Sequence, residues 1–271
     1  MLKKRERTGT SPETMEENMK KKLLSIVLAI CLLFSLVPAP AMATEKTGAA
    51  VHKHDGITFK AVSDEAGLME AVEKSGSYYL TDNITLKGRL NIYSGTVNLC
   101  LNGYDLKPTA DSLCAIKIEG GATLNLYDCD TTRVRYGQWD ADQNYTVSPD
   151  RPAEGKEGVD YDVLTGGIIT GGHAERGAVY NAGKFSMYGG NITGHTGMSG
   201  GGVYNKGTFS MYGGNITGNT ATESGGGVCN GDKCVFSMYG GSITGNTGAY
   251  GGGVHNDSSD DSSGTFNMSG G

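Results

Sequence analysis

The 271 residues carry a formal charge of −6, which becomes more negative once the basic N-terminal segment is set aside. Without a basic stripe, nucleic acid and anionic membrane surfaces are excluded as expected partners. Glycine is concentrated, with 31 of 44 between Gly166 and Gly271, and that density excludes helical repeats because glycine in a helix interior costs about 1 kcal/mol relative to alanine.

At the N-terminus, Lys20, Lys21 and Lys22 precede an apolar run from Leu23 to Val37, followed by Pro38, Pro40 and Ala41-Met42-Ala43. The run is too short to span a bilayer and ends in a small-x-small site, which predicts a signal peptide over residues 19–43. Residues 1–18 read as a mis-assigned leader, with Met19 as the expected start. The mature chain is therefore expected to be secreted or held at the cell surface, with no membrane span after cleavage. Residues 44–57 read as a polar linker. His52 and His54 would share a face if extended and could hold a metal, but next to a cleavage site they are read as linker.

A helix is expected from Asp64 to Lys74, with Leu68, Ala71 and Val72 on one face, acidic residues at its start and Gly76 beyond its end. Its expected role is to cap the open end of the stack of strands that begins after it. From Tyr78 to Asp130 apolar residues alternate with polar ones: Ile84 and Leu86, Leu90 and Ile92, Val97, Leu99 and Leu101, Ile116 and Ile118, Leu124 and Leu126. These predict about three irregular coils within 58–130. Residues 131–165, with Trp139, Pro149 and Pro152, read as a loop insertion of the kind that leaves a solenoid on one side.

From 166 to 271 the chain repeats itself. Val179, Val203, Val228 and Val254 recur every 24 to 26 residues, and so do Phe185, Phe209, Phe236 and Phe266; Met187, Met211, Met238 and Met268; and Ile192, Ile216 and Ile243. The period-two alternation in Phe185-Ser-Met-Tyr predicts strands, and the period predicts stacked units. The expected fold is all-β: a right-handed parallel β-helix, a single-stranded solenoid with three short strands per coil and a short N-terminal capping helix. About seven coils of roughly 4.8 Å would make a stack about 30 Å long. Asn181, Asn205, Asn230 and Asn256 should form a corner ladder of side-chain amides.

Five cysteines lie beyond the signal peptide: Cys100, Cys114, Cys129, Cys229 and Cys234. Their odd number argues against a complete disulfide framework. Cys229 and Cys234 bracket a loop that could close into a bridge, and the other three read as small packing residues. No Cys-x-x-Cys pair and no neighbouring histidine accompanies them in the sequence, so neither a metal site nor a cofactor is expected.

Several segments resemble a known family. They are His54-Asp-Gly-Ile-Thr-Phe59, Tyr78-Tyr-Leu-Thr-Asp-Asn-Ile-Thr-Leu86, Val97-Asn-Leu-Cys-Leu-Asn-Gly103 and the Gly-Gly-Gly-Val…Phe-x-Met-x-Gly-Gly-x-Ile-Thr-Gly-Asn repeats. They look like the pectate-lyase-like right-handed parallel β-helix repeat modules of Gram-positive bacterial surface proteins. The resemblance implies an adhesin-like stalk or binding scaffold, usually succeeded by further domains and a wall anchor. The chain stops in mid-repeat after Phe266-Asn-Met-Ser, so a C-terminally truncated fragment that self-associates through its last coil is expected.

The alternative function is a polysaccharide lyase or glycoside hydrolase, since this fold also hosts such enzymes. Those chemistries need carboxylate pairs, or acidic calcium ligands beside a basic residue, on the outer face. The expected outward positions are Ser186, Ser210, Ser237, Asn267, Thr193, Thr217 and Thr244, with Tyr188, Tyr212 and Tyr239, and none is charged at neutral pH. Asp128, Asp130, Asp140 and Asp142 with Arg133 and Arg135 form the one mixed charge cluster. No enzyme and no catalytic residue is therefore expected. Candidate contacts are exposed aromatics, namely Tyr188, Tyr212 and Tyr239 in one column, Tyr180 and Tyr204 in another, and Trp139, with host or microbial glycans or surface proteins as partners.

Overall fold

The computed structural model describes residues 52–109, 114–140, 145–150, 161–259 and 262–271. The expected leader, signal peptide and most of the linker lie outside the described residues, as does Asp142 of the charge cluster. Among the described residues no helix is long and apolar enough to cross a membrane.

The chain winds into a parallel β-solenoid of about six turns, one fewer than the sequence suggests. An eight-stranded sheet takes its strands in chain order from Lys60–Val62, Gly76–Leu80, Thr96–Cys100, Thr123–Tyr127, Lys184–Met187, Thr208–Met211, Val235–Met238 and Thr265–Met268. A six-stranded sheet carries the isoleucine column from Ile84–Leu86 to Ser242–Thr244, and a second carries the valine column from Leu90–Ile92 to Val254–Asn256. All pairings within these sheets are parallel and in register, so Phe185 faces Phe209 and Met187 faces Met211. Alternation then puts every second side chain inward, which is why Leu90, Ile92, Val97, Leu99, Ile116, Ile118, Leu124 and Leu126 are all fully buried.

Each regular coil has four strands where three are expected. The additional sheet stacks His173–Ala174, Thr196–Ser199, Thr220–Ser224 and Thr247–Tyr250. Its sequences lack an apolar alternation, and backbone pairing with the coils above and below holds them extended, with register shifts at Gly197/Ser199 and Ala221/Ser224.

Two kinds of ladder hold the coils in register. Phe185, Phe209, Phe236 and Phe266 stack with ring centroids 4.6–4.8 Å apart. Asn181 donates to Asn205, Asn205 to Asn230 and Asn230 to Asn256, each at 2.7 Å. Asn181, Asn205 and Asn230 are completely buried, and an amide bonded on both sides is what makes that burial affordable. A second corner column is formed by His195, Asn219 and Asn246. Asn219 Nδ2 donates to Ile192 O at 2.9 Å and Asn246 Nδ2 to Ile216 O at 2.8 Å. The ring of His195 takes the same place, with Nε2 3.2 Å from Ile169 O.

The helix Glu65–Lys74 begins at Asp64, whose side chain accepts the Gly67 N–H at 2.8 Å. It buries Leu68, Ala71 and Val72 against the first coils, as a cap over an apolar end requires.

Two segments depart from the expected linker and loop. Lys53–His54 and Ile57–Thr58 pair as an antiparallel hairpin across Asp55 and Gly56, both at positive φ. The insertion builds a three-stranded antiparallel sheet in which Val134–Trp139 lies between Tyr145–Ser148 and Asp162–Thr165. It docks where the coils present glycine: a Cβ on Gly218 would meet the Tyr145 ring at 2.6 Å. Thr193 and Thr217, expected to point outward, are buried.

Candidate functional site

The exterior of the eight-stranded sheet carries a polar column from Ser77 to Asn267 and, beside it, a column of aromatic side chains broken once. Cys100 lies beside Tyr79 on one strand and Tyr127 on the next. Beyond Tyr127 the column continues through Tyr188, Tyr212 and Tyr239, their rings stacked 4.8–4.9 Å apart within 10° of parallel. The row is exposed as expected, 38% at Tyr188, 46% at Tyr212 and 53% at Tyr239. Tyr188 and Tyr212 each have a ring on both faces, however, so they offer edges and hydroxyls, and a sugar ring cannot stack on them.

The second expected column is less accessible. Tyr204 is only 7% exposed, contrary to expectation. It is covered by the Arg176 guanidinium at 4.7 Å and the Lys206 ammonium at 5.5 Å, and it stacks on half-buried Tyr180. Trp139 is half-buried and meets the Tyr145 ring edge-on at 5.1 Å.

At the head of the tyrosine column Cys100 takes the place of an aromatic ring, and the opening hairpin folds over the gap. His52 stacks on Tyr79 with centroids 4.2 Å apart and His54 on Tyr127 at 5.0 Å, with Phe59 edge-on to both imidazoles. Phe59, Cys100 and Tyr127, with Tyr79 and Cys129, make a small apolar cluster outside the main core. Inside it, one ligand atom each from His52, His54, Cys100 and Cys129 lies within 4.8 Å of all the others. Cys100 Sγ is 3.6 Å from Cys129 Sγ, Cys129 Sγ is 3.6 Å from His52 Nε2, and the two Nε2 atoms are 2.9 Å apart.

His52 and His54, expected in the linker, thus lie in a hairpin against the sheet, and Cys100 and Cys129 pack in the apolar cluster as expected while standing beside two histidines that are distant in the sequence. The Asp55-Gly56 dipeptide was the signal that could have found the hairpin, since Asp-Gly favours the tight turn that joins paired strands. The hydrogen bond with Cys100, and then those with His52 and His54, hold the Cys129 thiol below the ordinary cysteine range, whereas burial pushes Cys100 up.

The mixed charge cluster is taken up in holding the chain. The Asp128 carboxylate accepts the Gly103 and Gly167 N–H groups, both at 2.7 Å, and burial pushes its pKa up to about 6. Asp130 accepts from Thr132 N at 3.0 Å, Arg133 lies 3.8 Å over the Tyr104 ring, and Arg135 pairs with Asp105 at 3.2 Å. Cys229 and Cys234 are both free thiols, so the loop between them is not bridged.

Between the insertion and the stack runs an open groove of about 610 Å³, whose lining includes Thr85, Lys107, Thr109, Tyr145, His173 and Thr196. Among the described residues its walls are threonine hydroxyls, backbone, Pro108, the Tyr145 and His173 rings and one lysine, Lys107, groups that can hydrogen-bond a neutral, hydroxyl-rich molecule.

No protein-family model, no curated protein and no solved structure matches the chain.

Proposed function

We propose that this chain is a non-enzymatic β-helix module of the pectate-lyase-like kind, secreted or displayed on a Gram-positive cell surface. There it serves as an adhesin-like stalk or binding scaffold for host or microbial glycans or surface proteins. The observation that carries this reading is the engagement of the charged residues. Asp128, Asp130, Arg133 and Arg135 each have a structural partner close at hand, so the two carboxylates described there are engaged in holding the chain and not in the paired arrangement that hydrolysis requires. The stacked core supplies a rigid support, and the groove beside the insertion is the surface on which a glycan would lie.

The test combines turnover and retention. Purified protein incubated with polygalacturonate, pectin, alginate and glycosaminoglycans, with and without calcium, is expected to release neither unsaturated nor reducing ends. On immobilised neutral polysaccharides such as mannan, xylan and starch it should be retained, and Lys107→Ala with His173→Ala should weaken retention. Turnover abolished by Asp130→Asn or Arg133→Ala would replace this reading with the lyase or hydrolase one.

A further inference from the structure

We propose that His52, His54, Cys100 and Cys129 form a tetrahedral site for a thiophilic divalent cation, zinc being the one the donor set fits. The bound ion would fasten the opening hairpin to the outer face of the stack.

The distances argue for a shared central atom. Four ligands around zinc, with bonds of about 2.3 Å to sulfur and 2.0–2.1 Å to nitrogen, stand about 3.8 Å apart for two sulfurs, 3.6 Å for sulfur and nitrogen and 3.3 Å for two nitrogens. Three of the six observed separations are 3.6 Å between the sulfurs, 3.6 Å from Cys129 Sγ to His52 Nε2 and 2.9 Å between the imidazoles, and all six lie within 4.8 Å, so a bound ion would draw the remaining ligands in by up to about 1 Å. A disulfide needs its sulfurs about 2.05 Å apart, and it would leave unexplained why two imidazole nitrogens converge on the same point.

His54 supplies an independent observation. The ring is 4% exposed and its Nδ1 has no hydrogen-bond partner. Burying an imidazole with one nitrogen unsatisfied is unfavourable, and its other nitrogen, Nε2, lies 2.9 Å from His52 Nε2 inside the cluster. Two Nε2 atoms 2.9 Å apart must share one proton between them, whereas a cation accepts both lone pairs at once; Nδ1 is left unpartnered in either case. Two sulfurs and two nitrogens in tetrahedral array select zinc over magnesium or calcium, which prefer oxygen.

The site also accounts for a break in the exterior column. Tyr79, Tyr127, Tyr188, Tyr212 and Tyr239 are all tyrosines, and only Cys100 interrupts them. The two imidazoles stack on the tyrosines either side of the gap, which brings a nitrogen of each ring within 4.8 Å of the thiol that replaces the missing ring. The aromatic wall formed with Phe59 keeps water from competing for the ligands.

The full chain, purified under reducing conditions without a chelating resin, is expected to carry about one zinc per molecule by elemental analysis. Cobalt(II) in its place should give a thiolate charge-transfer band and the intense visible bands of a tetrahedral centre, both lost in Cys100→Ser with Cys129→Ser. Chelation should speed hydrogen exchange at Lys53–Phe59 by at least about tenfold, while the strands from Val179 to Met238 keep their protection. Cys100 is fully buried and its replacement alone can unfold the chain, so His52→Ala at a half-buried ring is the second variant. It should keep the circular dichroism of the wild type and lose at least about tenfold in zinc affinity. A folded chain that binds neither zinc nor cobalt would overturn the proposal. So would a hairpin indifferent to the chelator, or a Cys100–Cys129 disulfide as the form isolated under reducing conditions.

Discussion

Replacing His195 by asparagine should remove a specific part of the protein's acid sensitivity. His195 occupies a corner position that asparagine fills in the next two coils, and its ring is buried with Nε2 against the Ile169 carbonyl at 3.2 Å. Burial, and to a lesser degree His173, lowers its pKa from 6.5 to about 4, against the opposing hydrogen bond to Ile169. Between those values the unfolded chain binds a proton that the folded chain does not, so this histidine's contribution is fully present above pH 6.5 and is lost as pH falls toward 4. A gap of about 2.5 pH units, at about 1.4 kcal/mol each, corresponds to about 3 kcal/mol. Asp128 acts in the opposite sense over nearly the same range, because its pKa is raised to about 6 from 3.8 and its contribution falls as pH rises through that window. The diagnostic quantity is therefore the difference between wild type and variant, in which Asp128 cancels. Urea unfolding at pH 7, 5.5 and 4 should show His195→Asn within about 1 kcal/mol of wild type at pH 7, the cost of a small cavity. At pH 4 the variant should have gained about 3 kcal/mol relative to wild type. Parallel stability curves across the three pH values would refute the assignment of His195 as a buried neutral imidazole.

Phe209→Asp should cost more than about 4 kcal/mol, because it places a charge between Phe185 and Phe236 with no partner, whereas Ser210→Asp should stay within about 0.5 kcal/mol; equal losses in thermal unfolding would mean the two faces are misassigned. Gly218→Ala puts a side chain at φ +63° and 2.6 Å from the Tyr145 ring, so it should loosen the insertion and cost about 1–2 kcal/mol. The chain has a single tryptophan, Trp139 beside Tyr145, and its emission should shift to the red if the insertion lifts, while an unchanged spectrum would mean that Tyr145 does not seat it.

The sequence by itself determined the parallel solenoid, the inward columns, the capping helix and the asparagine ladder at Asn181, Asn205, Asn230 and Asn256. These features are local alternations repeated at a nearly constant spacing, and stacking turns each recurrence into a contact with the coil above. Only the tertiary structure decided what lies where spacing is uneven or pairing overrides composition. The fourth strand of each coil is held by its neighbours' backbones and has no apolar signature of its own. Tyr204 is buried and Thr193 and Thr217 are covered because cationic side chains in one place and the insertion in the other fold over them. The column from Tyr79 through Cys100 and Tyr127 to Tyr188 runs across coils of different length and past the insertion, so no fixed period exposes it. The convergence of His52 with Cys129 spans 77 residues. It depends on a two-residue turn at Asp55-Gly56 bringing the hairpin back over the sheet, a long-range closure that residue spacing alone does not encode.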